Sequence, residues 1–326
     1  MRAPPDSGLP TSDFAHVAVV YGSDEQLCDL LLPYLHECLR HHEHILAVVS
    51  HNSQRVLRDA LGDAAERVQW GHAGLCYERL GRAFDGFADY LAQQYCAGVP
   101  TRVLGEFDTD RSPDRVRQYL RYESMANEVY ARYGYSVVCL WDQRRYGPDV
   151  LAGVRAVHPH VLGTSGQVNN AEYRMPIDYL TPDEMAPPAA PVDPDLDVDL
   201  GSADDLGVLR RRLRSWGAAC AMSDQDTDDI VIAVDEIATN ALEHGQPPAR
   251  VRGWTTPAAL FIQVDDRGRS NIPATTGYHR PATDARRGRG IWIARHLADV
   301  LTTHADPAGT TVAMRFTRSA PDSRVS

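Results

Sequence analysis

The segment from Met175 to Ser202 restricts how this chain can fold more than any other feature. It reads MPIDYLTPDEMAPPAAPVDPDLDVDLGS, and proline and aspartate dominate it. Such a composition favours an extended segment, because proline has no backbone N–H to donate and like charges repel. We therefore predict a linker at 175–202 between two domains, 14–174 and 203–318, with disordered ends at 1–13 and 319–326.

The composition of the whole chain is that of a soluble globular protein. Of its 326 residues 43% are hydrophobic and 24% are charged, and no apolar run is long enough to span a bilayer. The first 13 residues have no apolar core, so we expect no signal peptide, no membrane and a cytoplasmic location. The net charge of −11, without a basic tail, predicts no nucleic-acid binding.

The cysteine pattern argues against a disulfide framework. The chain has six cysteines, five of them before residue 140, and they form no CxxC pair. We expect them to be buried as small hydrophobic residues. A redox or metal sensor is disfavoured, since no Cys/His cluster has metal-ligand spacing along the sequence.

Before the linker, apolar strands alternate with helical patterns. Strands are predicted at 16–21, 45–50, 102–104 and 136–141, and helices at 24–40, 53–61 and 112–132 and from about Pro148. Continuous apolar strands in a βαβα order predict an α/β domain, with a parallel sheet covered on both faces.

After the linker the order of elements changes. Two helices at 203–220 and 224–244 precede a strand pair at 249–255 and 258–265, a helix at 290–300 and a closing hairpin at 301–317. This order predicts an α+β sandwich, with helices on one face of a mixed sheet.

Three motifs follow each other within this second domain. In the first, Glu236, Asn240 and His244 are spaced four apart on the helix from Asp224 and share one stripe, beside an apolar stripe that should face the core. Gly245 then ends the helix. The same pattern would also suit an amphipathic helix with no ligand.

The second and third motifs are short and glycine-containing. Asp266 and Gly268 follow an apolar strand, where a carboxylate can accept from an exocyclic amino group, although Asp-x-Gly is also a common turn. Gly288, Arg289 and Gly290 precede an apolar helix, whose free N–H groups and dipole favour phosphate. A flexible turn is the usual alternative for this motif as well.

Together and in this order, the three motifs resemble the N box and the two glycine boxes of the GHKL (Bergerat-fold) ATPases and kinases. Gly309-Thr310-Thr311 resembles the last box of that family. The resemblance covers roughly residues 196–318, and it implies that the C-terminal domain is an α+β Bergerat (GHKL) ATP-binding sandwich.

The resemblance also implies roles for individual residues. Glu236 would be the general base, Asn240 the Mg²⁺ ligand, and Asp266 the partner of the adenine amino group beside Gly268. Thr310 would support that contact, and Gly288 and Gly290 would flank an ATP lid at 269–287. Ser270 stands where the family often has a second glycine. The nucleotide site implied in this way also includes His244, Arg287, Arg289 and Ile291.

The stretches DEIATNALEHG and GRGIWIARHLAD are most similar to those of anti-sigma factor serine/threonine kinases. The partners implied are a sigma factor or an anti-sigma factor antagonist, with a homodimer unless the N-terminal domain covers or replaces that surface. A module that binds partners without catalysis, and more distantly a sensor histidine kinase, remain as alternatives. The Pro/Asp-rich segment cannot supply the phosphoacceptor helices of a histidine kinase.

The N-terminal domain resembles the MEDS family, described as a sensory domain. The residues that carry this resemblance are Gly105-Glu106-Phe107, Arg121-Tyr122-Glu123 with Asn127, Cys139-Leu140-Trp141-Asp142 and His158-Pro159-His160. The resemblance implies a RecA-like parallel sheet sandwich with a degenerate P-loop, since Tyr21-Gly22-Ser23-Asp24-Glu25 lacks Gly-Lys-Ser/Thr. It also implies an unknown small-molecule signal. Glu106, Glu123, Asp142 and His158 are either pocket residues or buried structural polar groups.

Overall fold

The computed structural model describes residues 14–73, 75, 79–107, 112–180, 188–268, 272–282 and 288–318. Contacts between Cα atoms divide them into two compact units. The first unit comprises the described residues up to 179 except 79–82, and the second comprises 79–82 and the described residues from 180 onward. The ends predicted to be disordered, 1–13 and 319–326, lie outside the described residues.

The first unit is built on a seven-stranded sheet in the order β3-β2-β4-β5-β1-β6-β7. Its strands are β1 (His16–Tyr21), β2 (His44–Val48), β3 (Val68–Trp70), β4 (Thr101–Glu106), β5 (Ser136–Asp142), β6 (His160–Gly163) and β7 (Gly166–Asn169). All neighbours pair in parallel except β6 and β7, which form a hairpin. The prediction of a parallel-dominated α/β sheet is confirmed.

Among the described residues, six α-helices accompany this sheet. They are α1 (Asp24–Arg40), α2 (His51–Leu61), α3 (Leu80–Ala97), α4 (Pro113–Val129), α5 (Pro148–Val157) and α6 (Pro176–Tyr179). Helix α3 was not predicted, although Leu80, Phe84, Phe87 and Leu91 recur at helical spacing and are buried. The interior strands are buried along their length, as expected for a sheet covered on both faces.

The turn between β1 and α1 is closed by its own side chains. The Ser23 hydroxyl accepts from the Gln26 N–H at 3.2 Å, and the Gln26 side-chain oxygen accepts from the Gly22 N–H at 2.6 Å. These contacts occupy N–H groups that a phosphate-binding loop would offer to a ligand. The description of this turn as a degenerate P-loop stays a prediction.

The second unit contains a five-stranded antiparallel sheet in the order β11-β12-β10-β9-β8. Its strands are β8 (Leu196–Leu200), β9 (Ala249–Thr255), β10 (Ala259–Asp266), β11 (Val300–Asp306) and β12 (Gly309–Thr317). Its helices are α7 (Leu206–Ala219), α8 (Asp224–His244) and α9 (Gly290–Leu297). One core joins alternate residues of the strands to the buried faces of all three helices. The predicted α+β arrangement is present, but every strand pair in it is antiparallel rather than mixed.

The predicted linker contains more structure than its composition suggested. Leu196, Val198 and Leu200 are buried, and their strand β8 pairs with β9. Asp197, between them, forms an ion pair with Arg250 on the neighbouring strand. The expectation of a linker that extends to residue 202 is therefore corrected, because the last part of this segment is an edge strand of the second unit.

None of the described helices combines the length and the apolarity needed to cross a bilayer.

Candidate functional site

Helix α8 positions the two residues expected at the centre of the nucleotide site. Ser223 caps its first turn, since its hydroxyl accepts from the Asp226 N–H at 3.0 Å. The predicted apolar stripe is buried in the core: Ile230, Val234, Ile237 and Ala241. Glu236 and Asn240 lie beside this stripe and are half-buried, whereas His244 is exposed at the end of the helix. The amphipathic pattern therefore places one carboxylate and one amide at the edge of the core.

Gly290 brings the third motif against the first. A Cβ atom at Gly290 would lie 2.5 Å from Asn240 Nδ2 and 3.2 Å from Glu236 Oε2. Only a residue without a side chain leaves this space open, because real Cβ atoms do not approach other atoms so closely. The N-terminus of α9 and the polar stripe of α8 therefore face each other directly.

The N-terminus of α9 has features that suit an anion. Arg289 is its N-cap and makes no side-chain hydrogen bond to the first turn, and Gly288 before it has a φ of +85°. The Arg289 guanidinium is exposed and donates to the Ala282 carbonyl at 3.2 Å. Ile291 packs against the core and holds the helix in place. Arg287, also predicted at this site, lies outside the described residues.

Asp266 is enclosed by glycines. Its Oδ1 accepts from the Gly268 N–H at 2.6 Å and from the Gln246 N–H at 3.4 Å. A Cβ at Gly268 would lie 2.7 Å from that oxygen and 2.8 Å from the Gly245 Cα. The helix stop of the first motif and the glycine of the second motif therefore form one wall around this carboxylate.

Thr310 supports the second motif through the backbone. It lies opposite Asp266 in the β10–β12 register and is buried, and its hydroxyl donates to the Gly268 carbonyl at 3.0 Å. The neighbouring Thr311 hydroxyl donates to Asp265 at 2.7 Å. Thr310 therefore contacts the loop at Gly268, and its role in supporting the contact of Asp266 with the base stays a prediction.

Part of the predicted lid is anchored. Tyr278 is buried, with the Arg295 guanidinium 4.2 Å from its ring centre. Arg295 also donates to the Thr276 carbonyl at 3.0 Å, and Gly277, with a φ of +82°, lies close to Ile291. Residues 276–278 therefore pack against α9. Residues 269–271, including Ser270, and 283–287 lie outside the described part of the chain.

The two carboxylates of this site have perturbed pKa values. Burial raises the pKa of Glu236 above its usual value, and the negative charge of Asp235 adds to this effect. Burial also raises the pKa of Asp266, although the N–H groups of Gly268 and Gln246 oppose the shift. Carboxyl groups whose pKa is raised by burial are candidates for proton transfer or for recognition of a ligand.

The four polar residues singled out in the first unit separate into two groups. Glu106 and Asp142 end β4 and β5, and Glu106 accepts from the Tyr21 hydroxyl at 3.1 Å. This is the carboxyl edge of the parallel strands, where open α/β sheets bind ligands. Glu123 and His158 are buried elsewhere, with Glu123 Oε2 3.0 Å from His158 Nε2.

Two protein-family models match this chain, one in each part. Residues 15–159 match the family model of MEDS, the MEthanogen/methylotroph, DcmR Sensory domain. Residues 201–316 match the model of the Histidine kinase-like ATPase domain. The resemblances inferred from the sequence motifs are confirmed at this level.

Solved structures similar to this chain include the RsbU and RsbW domains of Rv1364c from Mycobacterium tuberculosis, at 22% identity and a TM-score of 0.29. That match covers 39% of this chain and 34% of the other, so the chain spans about a third of that structure. The mycobacterial sensor histidine kinase MprB matches at 18% identity, with a TM-score of 0.26, over 37% of this chain and 96% of its own. The histidine kinase domain of the E. coli osmosensor EnvZ matches at 16% identity, with a TM-score of 0.24, over 42% of this chain and 98% of its own.

Proposed function

We propose that this chain, which joins a MEDS domain to a histidine kinase-like ATPase domain, is an ATP-dependent serine/threonine protein kinase that regulates a sigma factor. Its substrate is a serine or threonine of an anti-sigma factor antagonist. The observation that supports this most directly is the approach of Gly290 to Glu236 and Asn240. It brings together a carboxylate, an amide and a helix N-terminus, the kinds of group that phosphoryl transfer requires.

The nucleotide would be held at two places, by its base and by its phosphates. Asp266 accepts from the adenine amino group, while Gly268 and Gly245 allow the flat base to approach the backbone. The free N–H groups at the start of α9 and the Arg289 side chain contact the phosphates. Asn240 offers an amide oxygen at the same place, the kind of ligand that Mg²⁺ takes together with phosphate oxygens and water. When bound, Mg²⁺ neutralises charge on those phosphates.

The proposed chemistry is transfer of the γ-phosphoryl group to a hydroxyl. Glu236 accepts the proton of the attacking hydroxyl, a new O–P bond forms, and the bond to the β-phosphate breaks to release ADP. The remaining residues position the reactants and stabilise the charge that develops. A module that only sequesters a partner would have no need of Glu236, and we therefore favour the enzyme over the binding module.

The pH dependence of the reaction follows from the raised pKa of Glu236. A general base must be ionised, so we expect activity to fall as the pH decreases. Because the pKa of Glu236 is raised, this fall should begin at a higher pH than with an ordinary glutamate. Replacing Asp235 with asparagine removes a charge that raises this pKa, and it should move the acid limb of the kcat/KM profile to lower pH. The measurement is a pH–rate profile of both proteins, and an unchanged limb would argue against Glu236 as the titrating base.

The experiment that tests the function is incubation of the full chain with γ-labelled ATP, Mg²⁺ and a candidate antagonist. We expect label on the antagonist that survives acid, as phosphoserine and phosphothreonine do. Acid-labile label on the chain itself would indicate the histidine kinase instead. Binding of ATP with no transfer to any antagonist that the chain captures would indicate the non-catalytic module.

A further inference from the structure

Four buried side chains of the first unit meet at one point, although they are far apart in the sequence. They come from the start of β1, the middle of α4, the middle of β5 and the residue after α5: His16, Glu123, Cys139 and His158. Each offers one nitrogen, sulfur or oxygen atom, and these four atoms all lie within 4.8 Å of one another. All four residues are less than a tenth exposed. We call this group the His–Glu–Cys–His cluster.

The distances within the cluster are close to those of a tetrahedral metal site. Glu123 Oε2 lies 3.1 Å from His16 Nε2 and 3.0 Å from His158 Nε2, and His16 Nε2 lies 3.3 Å from Cys139 Sγ. Zinc binds nitrogen and oxygen at about 2.0–2.2 Å and sulfur at about 2.3 Å, so tetrahedral ligand atoms are roughly 3.3–3.8 Å apart. In these three pairs the atoms would move apart by a few tenths of an ångström around an ion, and the remaining pairs of ligand atoms lie within 4.8 Å of each other.

Both histidines are oriented by hydrogen bonds on the opposite side of the ring. His158 Nδ1 donates to the Val154 carbonyl at 2.7 Å. The Asn127 amide donates to two backbone carbonyls, those of Ser124 and Val157, so its oxygen is left to accept from His16 Nδ1 at 3.2 Å. In both rings Nδ1 is therefore engaged outside the cluster and Nε2 is the nitrogen that faces into it, where His16 Nε2 lies at hydrogen-bond distance, 3.1 Å, from Glu123 Oε2. Metal-ligating histidines are held in this way.

One atom of the cluster lacks a partner of its own. His158 Nε2 is completely buried, and although Glu123 Oε2 is close to it, the two do not have hydrogen-bond geometry. A lone pair that faces a carboxylate in a dry interior is unfavourable unless a cation lies between them. This orphaned atom is a second observation, independent of the clustering, that points to a missing ligand.

We propose that the His–Glu–Cys–His cluster binds a single divalent cation of the zinc class inside the MEDS domain. Two imidazoles, a thiolate and a carboxylate suit zinc, whereas Mg²⁺ and Ca²⁺ take oxygen ligands. With four protein ligands the coordination is complete, as in structural zinc sites, and no position remains for a reacting water. Binding releases the proton of the Cys139 thiol, since only the thiolate is a ligand.

The test uses the full chain, freed of metal with a chelator and titrated with Co²⁺ and then Zn²⁺. We expect one equivalent of Co²⁺ to bind, with a thiolate-to-cobalt charge-transfer band and the intense visible bands of tetrahedral coordination. Zn²⁺ should displace it and raise the unfolding temperature, because binding to the folded state stabilises that state. A folded wild-type chain that gives no saturable binding and no thiolate band overturns the proposal.

Two variants and one control identify the ligands. Cys139→Ser should abolish the charge-transfer band, whereas Cys96→Ser, at an exposed thiol, should leave it unchanged. A band that is lost only in Cys96→Ser would show adventitious surface binding and overturn the proposal. Asn127→Ala keeps all four ligands but removes the partner of His16, so we expect one equivalent to bind with about 10–100-fold lower affinity. An unchanged affinity would show that Asn127 does not position His16 for metal binding.

Discussion

Replacing Glu236 with alanine is expected to lower the rate of phosphoryl transfer by ~10²–10⁴, the usual effect of losing a general base. The nucleotide should still bind, because the contacts proposed for the base and the phosphates come from Asp266 and from the start of α9. Glu236 lies beside Gly290 at the polar edge of α8 and is half-buried, so its loss leaves the core of the helix intact. The measurement is single-turnover transfer from labelled ATP, with ATP affinity from calorimetry.

The control for Glu236 removes a charge from the same helix at a distance from the cleft. Asp228 is exposed on α8 and lies 3.8 Å from Arg214, so Asp228→Asn should leave the rate within about twofold, since surface pairs contribute little. If Glu236→Ala transfers phosphate at the wild-type rate, another group accepts the proton. If Glu236→Ala loses ATP binding as well, the residue acts in binding and not in proton transfer.

Much of the fold could be predicted because the signals are local. The stripe from Ile230 to Ala241 recurs at helical spacing and is buried, and the strands flanking α1 are continuous apolar runs. Strand β8 was missed because aspartates alternate with Leu196, Val198 and Leu200. Those aspartates face away from the core, and one of them pairs with Arg250, so a segment that resembles a charged linker is a half-buried edge strand.

The two candidate sites differ in how visible they are in the sequence. Glu236 and Asn240 are one helical turn apart, and glycines mark the loops that approach them, so motif order alone suggested that they meet. The His–Glu–Cys–His cluster has no such signal. Along the chain, Glu123 follows His16 by 107 positions, Cys139 follows Glu123 by 16, and His158 follows Cys139 by 19. The parallel pairing of β1 with β5 brings His16 near Cys139, and α4 and the end of α5 add Glu123 and His158. The expectation that the cysteines act only as small hydrophobic residues did not anticipate this arrangement.

Replacing Asn240 with alanine is expected to remove the Mg²⁺-dependent part of ATP affinity, and not the affinity as a whole. Even residues that only orient a metal ligand change metal affinity by about 10–100-fold, so the loss of a direct ligand should cost at least that factor. Asn240 faces the start of α9, where its nitrogen lies against Gly290, and its amide oxygen is the group available to an ion at the phosphates. The measurement is the affinity for ATP with Mg²⁺ present, divided by the affinity for ATP with a chelator present.

The matched variant Asn240→Asp retains an oxygen at the same position and should preserve this ratio, whereas Asn240→Ala should bring it close to one. Since both variants lose the amide N–H groups next to Gly290, the loss of a hydrogen bond from that nitrogen would affect them alike. A ratio that falls equally in both would therefore indicate a structural role for Asn240. A ratio that stays at the wild-type value in Asn240→Ala would show that the ion is held by the phosphates and other residues, and the proposed cleft would then lose its metal ligand but keep its base.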